Sequence, residues 1–254
     1  MIRNSLNRTT DATFLVRVPG QSKNGLPTPF GTGFFVSKDG HFVTAGHVVA
    51  GAKDPSDIQL THHARPMEIG PILRNPQLLA SSSEVDLALL KFDFAAHAAQ
   101  QWAKERDGFP FLEVDLDDHQ EGTPVYSFGY PLPETTVEVR EDEGGAVLGI
   151  VATDWICPRV TSAIVSSRWD VLGPIQTPGP SPFYVLDKAF NYGNSGGPIV
   201  LEESGKVIAA VVRFQPVKIP QPGGDLRITV PSLYGVASSL KNLEPGFRKL
   251  GLLT

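Results

Sequence analysis

The residues best suited to chemistry lie in one short segment late in the chain, Gly193-Asn194-Ser195-Gly196-Gly197-Pro198-Ile199. A glycine inside a helix or strand costs about 0.5–1 kcal/mol, so three glycines around Ser195 predict a tight loop. Such a loop exposes a hydroxyl beside backbone N–H groups, which are the nucleophile and the oxyanion donors that acyl transfer requires. Taken alone, the segment is also typical of a plain surface turn.

Two earlier segments contain the other groups that such a reaction uses. Thr44-Ala45-Gly46-His47-Val48-Val49 places His47 directly after a predicted strand, residues 40–44. Asp86 lies at the start of the apolar run 85–91. Singly, such a histidine is typical of a hydrogen-bonded structural residue, and such an aspartate is typical of a turn or a cap. The order His, Asp, Ser in one chain favours a shared site.

In the sequence and order of its motifs, the chain resembles the trypsin-like serine peptidases of the chymotrypsin fold. The resemblance covers residues 13–240. The segments that carry it are Gly31-Thr32-Gly33-Phe34-Phe35-Val36, Thr44-Ala45-Gly46-His47, Asp86-Leu87-Ala88-Leu89-Leu90, Phe128-Gly129-Tyr130-Pro131, Gly193-Asn194-Ser195-Gly196-Gly197-Pro198 and Val207-Ile208-Ala209-Ala210-Val211-Val212. Within this family, the chain looks most like the bacterial high-temperature-requirement branch. It shares with that branch the Asp-Leu-Ala-Leu-Leu motif, an asparagine before the serine and a scarcity of cysteine.

The resemblance implies a role for each residue of the site. Ser195 would attack a peptide carbonyl, and His47 would take its proton and pass it to the leaving amine. Asp86 would orient the imidazole and stabilise its cation. Backbone N–H groups of Gly193 and Ser195 would form the oxyanion hole, with Asn194 shaping the loop between them. The competing candidates for base and acid, which lie outside the matching segments, are His41, His62, His63, His97, His119 and Asp93.

Asn194 departs from the pattern of the digestive members of this family. Those members carry an aspartate there, which pairs with the new amino terminus formed by zymogen cleavage. An asparagine has no charge for such an ion pair, and residues 1–4 show no activation-site pattern. Activation by cleavage is therefore not expected. The resemblance to the bacterial branch implies control by loop ordering, assembly or a regulatory protein partner.

The resemblance also places the specificity pocket. Its floor would be the residue six positions before the serine, Ala189, and its wall would be the strand formed by Ala209, Ala210 and Val211. Burying a lysine or arginine side chain there without a carboxylate would be costly. A small or medium apolar side chain, such as valine, alanine or leucine, is therefore expected before the cut. Lys188 and Arg213 either admit an acidic group or are solvated charges.

The composition predicts a compact all-β enzyme. A chain of 254 residues that is 41% hydrophobic and 19% charged can bury roughly 70–75% of its unfolded surface. The 25 glycines and 22 prolines are typical of many short strands joined by turns. The resemblance implies two six-stranded antiparallel Greek-key barrels, a short linker helix and a C-terminal helix.

The predicted organisation is one peptidase domain built from two halves. Its successive parts are an N-terminal segment (1–11), a first barrel half containing His47 and Asp86 (12–112), a connection (113–121), a second barrel half containing Ser195 (122–236), and a C-terminal helix and tail (237–254). Alanine favours helix, so residues 94–105 predict the linker helix. Residues 232–243 predict the C-terminal helix, which Pro245-Gly246 would end.

Two stretches rich in proline and glycine, residues 166–182 and 215–224, predict long loops in the second half. Loops of this kind on a rigid barrel often carry specificity or regulation. The alternative is that both are tolerated surface insertions.

The remaining features exclude other classes of protein. The net charge is −5 without a basic cluster, so no nucleic-acid partner is predicted. Six histidines and the single Cys157 show no zinc spacing, so no metal or other cofactor is predicted, and Cys157 is expected to pack as a small apolar residue. There is no run of 18 apolar residues, so no membrane contact is predicted. The polar residues 1–8 lack a secretory signal and predict a cytoplasmic protein, or a periplasmic or secreted one if a signal was removed.

Together, these features predict a serine endopeptidase that cleaves protein or peptide substrates through an acyl-enzyme intermediate. The alternative is a catalytically silent or latent subunit of the same fold that binds protein partners.

Overall fold

The computed structural model describes residues 2–18, 30–63, 70–131, 134–141, 147–169, 183–220 and 227–253. In these ranges the chain is mostly strand. The helices are α1 (Ile2–Ala12), α2 (Gly46–Val49) and α3 (Glu244–Lys249). The strands of the first half are β1 (Thr13–Arg17), β2 (Phe30–Phe35), β3 (His41–Ala45), β4 (Gln59–Thr61), β5 (Ile72–Arg74), β6 (Gln77–Ser82) and β7 (Leu87–Lys91). Those of the second half are β8 (Pro124–Gly129), β9 (Glu134–Glu141), β10 (Val147–Trp155), β11 (Arg159–Trp169), β12 (Phe183–Leu186), β13 (Pro198–Leu201), β14 (Val207–Pro220) and β15 (Arg227–Ser239).

The first half is a seven-stranded antiparallel sheet in the order β5-β4-β1-β2-β3-β7-β6. Its central strands β1, β3 and β7 bury nearly every residue. Aromatic side chains fill much of this core, and the rings of Phe35 and Phe109 stack with centroids 4.3 Å apart. Aromatic residues bury large apolar areas, so this cluster gives the sheet a rigid base for the turns that carry His47 and Asp86.

The second half is a closed antiparallel barrel in the order β11-β12-β15-β14-β13-β8. Strands β9 and β10 pair with each other as a separate two-stranded sheet. The main hydrophobic cluster contains Phe14 and Phe35 of the first half together with Tyr126, Val200 and Val236 of the second. The two halves therefore share one continuous core, and the relative position of their loops is fixed by packing.

The predicted all-β architecture of two packed halves is confirmed, with one difference in the first half. There the strands form an open sheet rather than a closed six-stranded barrel, and no ladder joins β5 to β6 within the described ranges. Strand β5 has only three residues. The side chains of β6 are exposed or only partly buried, which fits its position at the edge of the sheet.

The predicted linker helix over residues 94–105 is wrong in form. The structure has two single 3-10 turns there, Ala95–His97 and Gln101–Ala103. Between them, the Gln100 side chain exchanges hydrogen bonds with the backbone of Ile72, accepting at 3.1 Å and donating at 2.7 Å. The Trp102 ring packs edge-on against Phe14. These tertiary contacts outweigh the helix preference of the alanines, which is a weak prior.

The C-terminal helix exists, but not at the predicted residues. Residues 232–239 continue β15, a 3-10 turn follows at Leu240–Leu243, and α3 begins at Glu244. Val236 and Ala237 are fully buried, because β15 is paired on both sides. Pro245 lies in the first turn of α3, where its missing N–H costs nothing, and it starts the helix instead of ending it.

The two predicted loops fall only partly within the described ranges. Residues 166–169 belong to β11 and residues 170–182 lie outside the description. Residues 215–220 belong to β14, whose pairing with β15 has a register shift between Phe214 and Pro216, a position where proline is tolerated. Residues 221–224 lie outside the description. In the described residues no helix is long and apolar enough to cross a membrane.

Candidate active site

His47 lies in the first turn of α2, immediately after strand β3. Its backbone N–H donates to Asp86 Oδ1 at 2.8 Å, and its ring Nδ1 lies 2.7 Å from Asp86 Oδ2. A carboxylate accepts hydrogen bonds, so Nδ1 donates and the proton of the neutral ring resides there. Nε2 is left as the acceptor, which is the state a general base needs.

Asp86 lies in the turn before β7 and is held there by backbone geometry. Its φ is +53°, in the left-handed region that aspartate tolerates better than most residues. Its carbonyl accepts from the N–H of Gly46 at 2.9 Å. A Cβ at position 46 would lie 3.2 Å from Asp86 Oδ1, so glycine there permits the close approach. The Asp86 side chain is 21% exposed and that of His47 is 50% exposed, so the base faces solvent and the acid lies behind it.

The Ser195 segment forms a tight loop that enters β13. Gly193 and Gly196 have φ of +95° and +85°, the left-handed region that favours glycine. The N–H of Asn194 donates to the Asn191 carbonyl at 3.1 Å, and that of Gly197 donates to the Asn194 carbonyl at 2.8 Å. Ser195 itself is partly exposed at the end of this loop. The predicted turn around the serine is therefore present.

Thr32 of strand β2 fixes this loop from the opposite half of the molecule. Its hydroxyl donates to the Gly193 carbonyl at 2.7 Å, and its N–H donates to the Ser195 carbonyl at 2.7 Å. Carbonyls of the loop are thus turned inward. The N–H groups of Gly193 and Ser195 find no acceptor among the described residues. A trans peptide points its N–H opposite to its C=O, so the bond from Gly197 to the Asn194 carbonyl directs the Ser195 N–H away from it.

His47, Asp86 and Ser195 all line one cleft of about 430 Å³ between the two halves. Within the described part of the chain, no hydrogen bond joins the Ser195 hydroxyl to the His47 ring. Such contacts are often long in a protein without substrate and tighten when substrate binds. The cleft therefore brings together the three side chains that the motifs singled out, beside two unengaged backbone donors.

The residues predicted to form the specificity pocket are only partly in the cleft. Val211 lines it, whereas Ala209 and Ala210 are fully buried in the hydrophobic core. Ala189 is exposed and is not among the described residues that line the cleft. Its neighbour Phe190 lines the cleft instead.

Phe190 is the apolar residue that sequence reasoning missed. Its side chain is buried, and its ring occupies the space beside Gly235 on β15. A Cβ at position 235 would collide with that ring, so the glycine makes room for it. No motif links positions 190 and 235, since they come together only when β12 pairs with β15.

Arg213 is the second residue that the motifs did not place in the site. It lines the cleft, and its Nε is buried without a hydrogen-bond partner among the described residues. Burial lowers the pKa of the Arg213 guanidinium, and the nearby Asp86 carboxylate opposes that shift. From the sequence, Arg213 could either admit an acidic group or be a solvated charge. The position of Arg213 in the cleft argues against a solvated charge.

The competing histidines lie elsewhere and have structural partners. His41 Nδ1 lies 2.7 Å from Ser37 Oγ, and burial lowers the pKa of its ring. His62 Nε2 lies 3.0 Å from the Thr10 carbonyl. The others also lie outside the cleft: His63 by Thr61, His97 by Gln100 and His119 by Asp115.

Two further candidates from the sequence have no part in the cleft. Asp93 accepts from the N–H of Ala95 at 3.0 Å, as a residue that caps a turn. Cys157 is exposed, which corrects the expectation that it packs as a small apolar residue. Across the described ranges, no group of three histidine, cysteine, aspartate or glutamate side chains could hold a metal ion.

Comparison with known proteins agrees with this geometry. A family model described as a trypsin-like peptidase domain matches residues 31–209. The "Probable periplasmic serine endoprotease DegP-like" of Bartonella henselae is 30% identical over 183 residues, which are 72% of this chain and 27% of that protein. The protein of the same name in Rhizobium meliloti is 30% identical over 186 residues, with the same coverage of both chains. The chain thus spans 27% of the length of these curated relatives.

Solved structures show the same fold. The HtrA-type protease AlgW with tripeptide superposes with a TM-score of 0.61 at 21% identity, covering 99% of this chain and 64% of that one. The serine endoprotease from Yersinia pestis gives a TM-score of 0.58 at 20% identity, covering 98% of this chain and 66% of that one. These neighbours fit the resemblance to the high-temperature-requirement branch that the motifs indicated.

Proposed function

The chain belongs to the trypsin-like peptidase family, and from this premise we propose that it is a serine endopeptidase acting on protein substrates through an acyl-enzyme intermediate. One observation carries the proposal. His47 is hydrogen-bonded twice to Asp86 and lines the same cleft as Ser195, whose loop presents two unengaged backbone N–H groups. A nucleophile, an oriented base and oxyanion donors are the set that acyl transfer requires.

In the proposed reaction, Ser195 Oγ attacks the scissile carbonyl carbon while His47 Nε2 takes the hydroxyl proton. Asp86 stabilises the imidazolium without accepting its proton. The N–H groups of Gly193 and Ser195 donate to the oxyanion, and loss of one such donor typically lowers kcat by about 10²–10³-fold. The amine leaves with the proton from His47, and a water molecule then hydrolyses the ester by the same steps.

We propose a small or medium apolar side chain directly before the cut bond. Phe190, Val211 and Val212 line the cleft and supply apolar contact for it. Because the Phe190 ring takes up the space beside Gly235, that space is closed to a long substrate side chain. Ala189 does not line the cleft, so the aromatic residue next to it is the proposed floor.

Regulation and location remain part of the proposal. Asn194 is buried and uncharged, so it cannot pair with a freed amino terminus, which favours control by loop ordering or a protein partner. The names of the curated relatives contain "periplasmic", which favours the periplasmic alternative over the cytoplasmic location that residues 1–8 predicted.

Labelling with a fluorophosphonate probe tests the proposed function. The parent protein should acquire one adduct, on Ser195, and should cleave an unfolded protein substrate. Ser195→Ala should abolish both, with a loss of kcat of roughly 10⁶-fold. Ser204→Ala removes an exposed hydroxyl from a turn outside the cleft and should change neither. Intact mass spectrometry reports the adduct, and a fluorescent casein assay reports cleavage.

His47→Ala distinguishes the enzyme from the alternative, a silent subunit that binds partners. It should abolish cleavage while circular dichroism shows an unchanged fold, since the His47 side chain is half exposed. Full turnover in this variant would rule out His47 as the base. A parent protein that neither reacts with the probe nor cleaves, with or without added unfolded protein, would favour the silent subunit.

A further inference from the structure

The catalytic cleft contains a permanent cation that the peptidase reaction does not use. Of the described residues that line it, only Arg213 carries a positive charge at all working pH values. Around it the lining is largely apolar, with Val48, Phe190 and Val211 contributing aliphatic and aromatic surface. An arginine in such a setting is expected to have a carboxylate or phosphate partner.

No such partner is present in the described part of the protein. Arg213 forms no salt bridge there, and its buried Nε has no acceptor. Asp86 lies near it, but both of its carboxylate oxygens bind His47, at 2.8 and 2.7 Å, and no hydrogen bond joins it to Arg213 among the described residues. The guanidinium of this cleft-lining residue therefore has a donor without an acceptor among the described residues.

A bound peptide would remove water from this guanidinium. Covering a charge without supplying an opposite charge is costly. A carboxylate from the peptide would satisfy it, because the guanidinium fork matches a carboxylate with two parallel hydrogen bonds. A neutral side chain could not compensate in this way, and a lysine side chain would add repulsion. By this argument Arg213 would discriminate among peptides by charge.

The position of Arg213 indicates which residue of the substrate it meets. It follows Val211 and Val212 on β14 and lies near Asp86, whereas Phe190 and Tyr192 belong to the loop before Ser195. Successive side chains of an extended peptide point to opposite sides. If one side chain contacts Phe190 directly before the cut, the preceding one faces the side of His47 and Arg213.

We propose that Arg213 binds a substrate carboxylate and selects peptides with aspartate or glutamate at the second position before the cut bond. The inference rests on the proposed endopeptidase function and adds to it a second specificity element. The apolar residue next to the cut and the acidic residue before it would be recognised together.

Three internally quenched peptides test this inference. They share valine before the cut and differ at the preceding residue, which is glutamate, glutamine or lysine. The parent protein should cleave the glutamate peptide with a kcat/KM roughly 10–100-fold above that of the glutamine peptide, as expected for a hydrogen bond to a charged group. The lysine peptide should be the poorest substrate.

Variants at position 213 should change this order in a defined way. Arg213→Gln should cleave the glutamate and glutamine peptides equally, and Arg213→Glu should prefer the lysine peptide. Lys188→Glu makes the same change of charge at an exposed residue that does not line the cleft, and it should keep the preference of the parent. If Arg213→Glu does not fold, as judged by circular dichroism, Arg213→Gln carries the test.

Each outcome separates the inference from the proposed function. Equal cleavage of all three peptides by the parent would overturn the role of Arg213 and leave the endopeptidase in place. An equal fall in kcat/KM for every peptide in Arg213→Gln, with the glutamate preference retained, would also overturn it, since Arg213 would then act on the His47–Asp86 pair. Absence of cleavage and of fluorophosphonate labelling in the parent would instead contradict the proposed function.

Discussion

At the scale of single residues, Thr32 connects the two halves of the candidate site. It is fully buried, and its hydroxyl accepts from the Tyr130 N–H at 3.2 Å while donating to the Gly193 carbonyl. Its own carbonyl accepts from the Thr44 hydroxyl at 2.7 Å. Because its N–H also holds the Ser195 carbonyl, one residue of the first half sets the orientation of two peptide units in the second. These two units flank the unit that carries the Ser195 N–H, so we expect Thr32 to position the loop that contains the oxyanion donors.

Replacing Thr32 by valine tests this positioning role. Thr32→Val keeps the shape of the side chain and removes its hydrogen bonds to the Gly193 carbonyl and the Tyr130 N–H. We expect kcat to fall by roughly 10–100-fold, part of the loss for a complete oxyanion donor, with KM changed little. Thr32→Ser should restore most of kcat. Steady-state kinetics on a neutral peptide gives kcat and KM separately.

Thr13→Val is the matched control for Thr32→Val. Thr13 is also fully buried, and its hydroxyl donates to the Thr9 carbonyl at 2.7 Å rather than to the Ser195 loop that Thr32 contacts. Thr13→Val should lose about 1–2 kcal/mol of unfolding free energy, and Thr32→Val, which loses two hydrogen bonds, should lose at least as much. Only Thr32→Val should lose kcat. Unchanged kcat in both would mean that the Thr32 hydroxyl stabilises the fold without positioning the loop.

The sequence predicted the candidate catalytic residues better than the residues proposed to contact substrate side chains. Ser195, His47 and Asp86 are each part of a local motif, and the cleft does bring them together. Phe190 and Arg213 carry no motif, because their roles depend on what packs beside them. A glycine on a distant strand makes room for Phe190, and within the described ranges the buried Arg213 Nε has no acceptor.

At the scale of elements, the loop around Ser195 depends on a glycine that no other residue can replace. Gly196 has φ of +85°, and its N–H donates to the Val211 carbonyl at 2.6 Å. A Cβ there would collide with the Thr32 carbonyl oxygen and lie 2.8 Å from the Ala45 nitrogen. These atoms belong to backbone that also positions His47, so neither side can move without disturbing the site.

Gly196→Ala should therefore cost far more than the strain of a left-handed residue. That strain alone is about 1–2 kcal/mol. Gly122→Ala gives the comparison, since Gly122 has φ of +87° and no atom within 4 Å of its added Cβ. Chemical denaturation should show a loss of about 1–2 kcal/mol for Gly122→Ala and a clearly larger loss for Gly196→Ala. Gly122→Ala should also keep its reactivity toward the fluorophosphonate, while Gly196→Ala loses it. Equal losses would contradict the collision.

Elements were predictable where local pattern and tertiary packing agree. The strand ahead of His47 was predicted at residues 40–44 and is found at His41–Ala45, because its apolar residues enter the core. Alanine content predicted a helix over residues 94–105, where contacts of Gln100 and Trp102 impose two short turns instead. At residues 235–238, within the stretch predicted as a helix, the pairing of β15 on both sides outweighs the local preference.

At the scale of the whole molecule, the site requires that the two halves keep a fixed position relative to each other. His47 and Asp86 come from the first and Ser195 from the second, so a shift between the halves would separate base from nucleophile. The shared core supplies most of this rigidity. Helix α1 adds a second connection, because it precedes the first half in sequence and contacts Tyr126 on β8 of the second.

The hydrogen bonds between α1 and Tyr126 have a determined direction. Thr9 Oγ1 donates to the Ser5 carbonyl at 2.9 Å, so its one proton is used. The Tyr126 hydroxyl, 2.9 Å away, must therefore donate to Thr9 Oγ1. Having given its own proton, Tyr126 accepts from Ser5 Oγ at 3.0 Å. Thr9 is fully buried, so water cannot replace the tyrosine as its donor.

Tyr126→Phe should therefore weaken the connection between α1 and the second half. Removal of the buried hydroxyl should cost about 1–2 kcal/mol of unfolding free energy, and each kcal/mol lowers Tm by roughly 2–4 °C in a protein of this size. Tyr234→Phe makes the same chemical change on an exposed ring and should shift Tm by less than about 2 °C.

Differential scanning calorimetry measures the Tm of both variants. Because Tyr126 does not line the cleft, fluorophosphonate labelling at 25 °C should be unchanged. Equal Tm values for the two variants would mean that the helix is held by its apolar contacts alone. Slower labelling of Tyr126→Phe would mean that α1 helps to fix the relative position of the two halves.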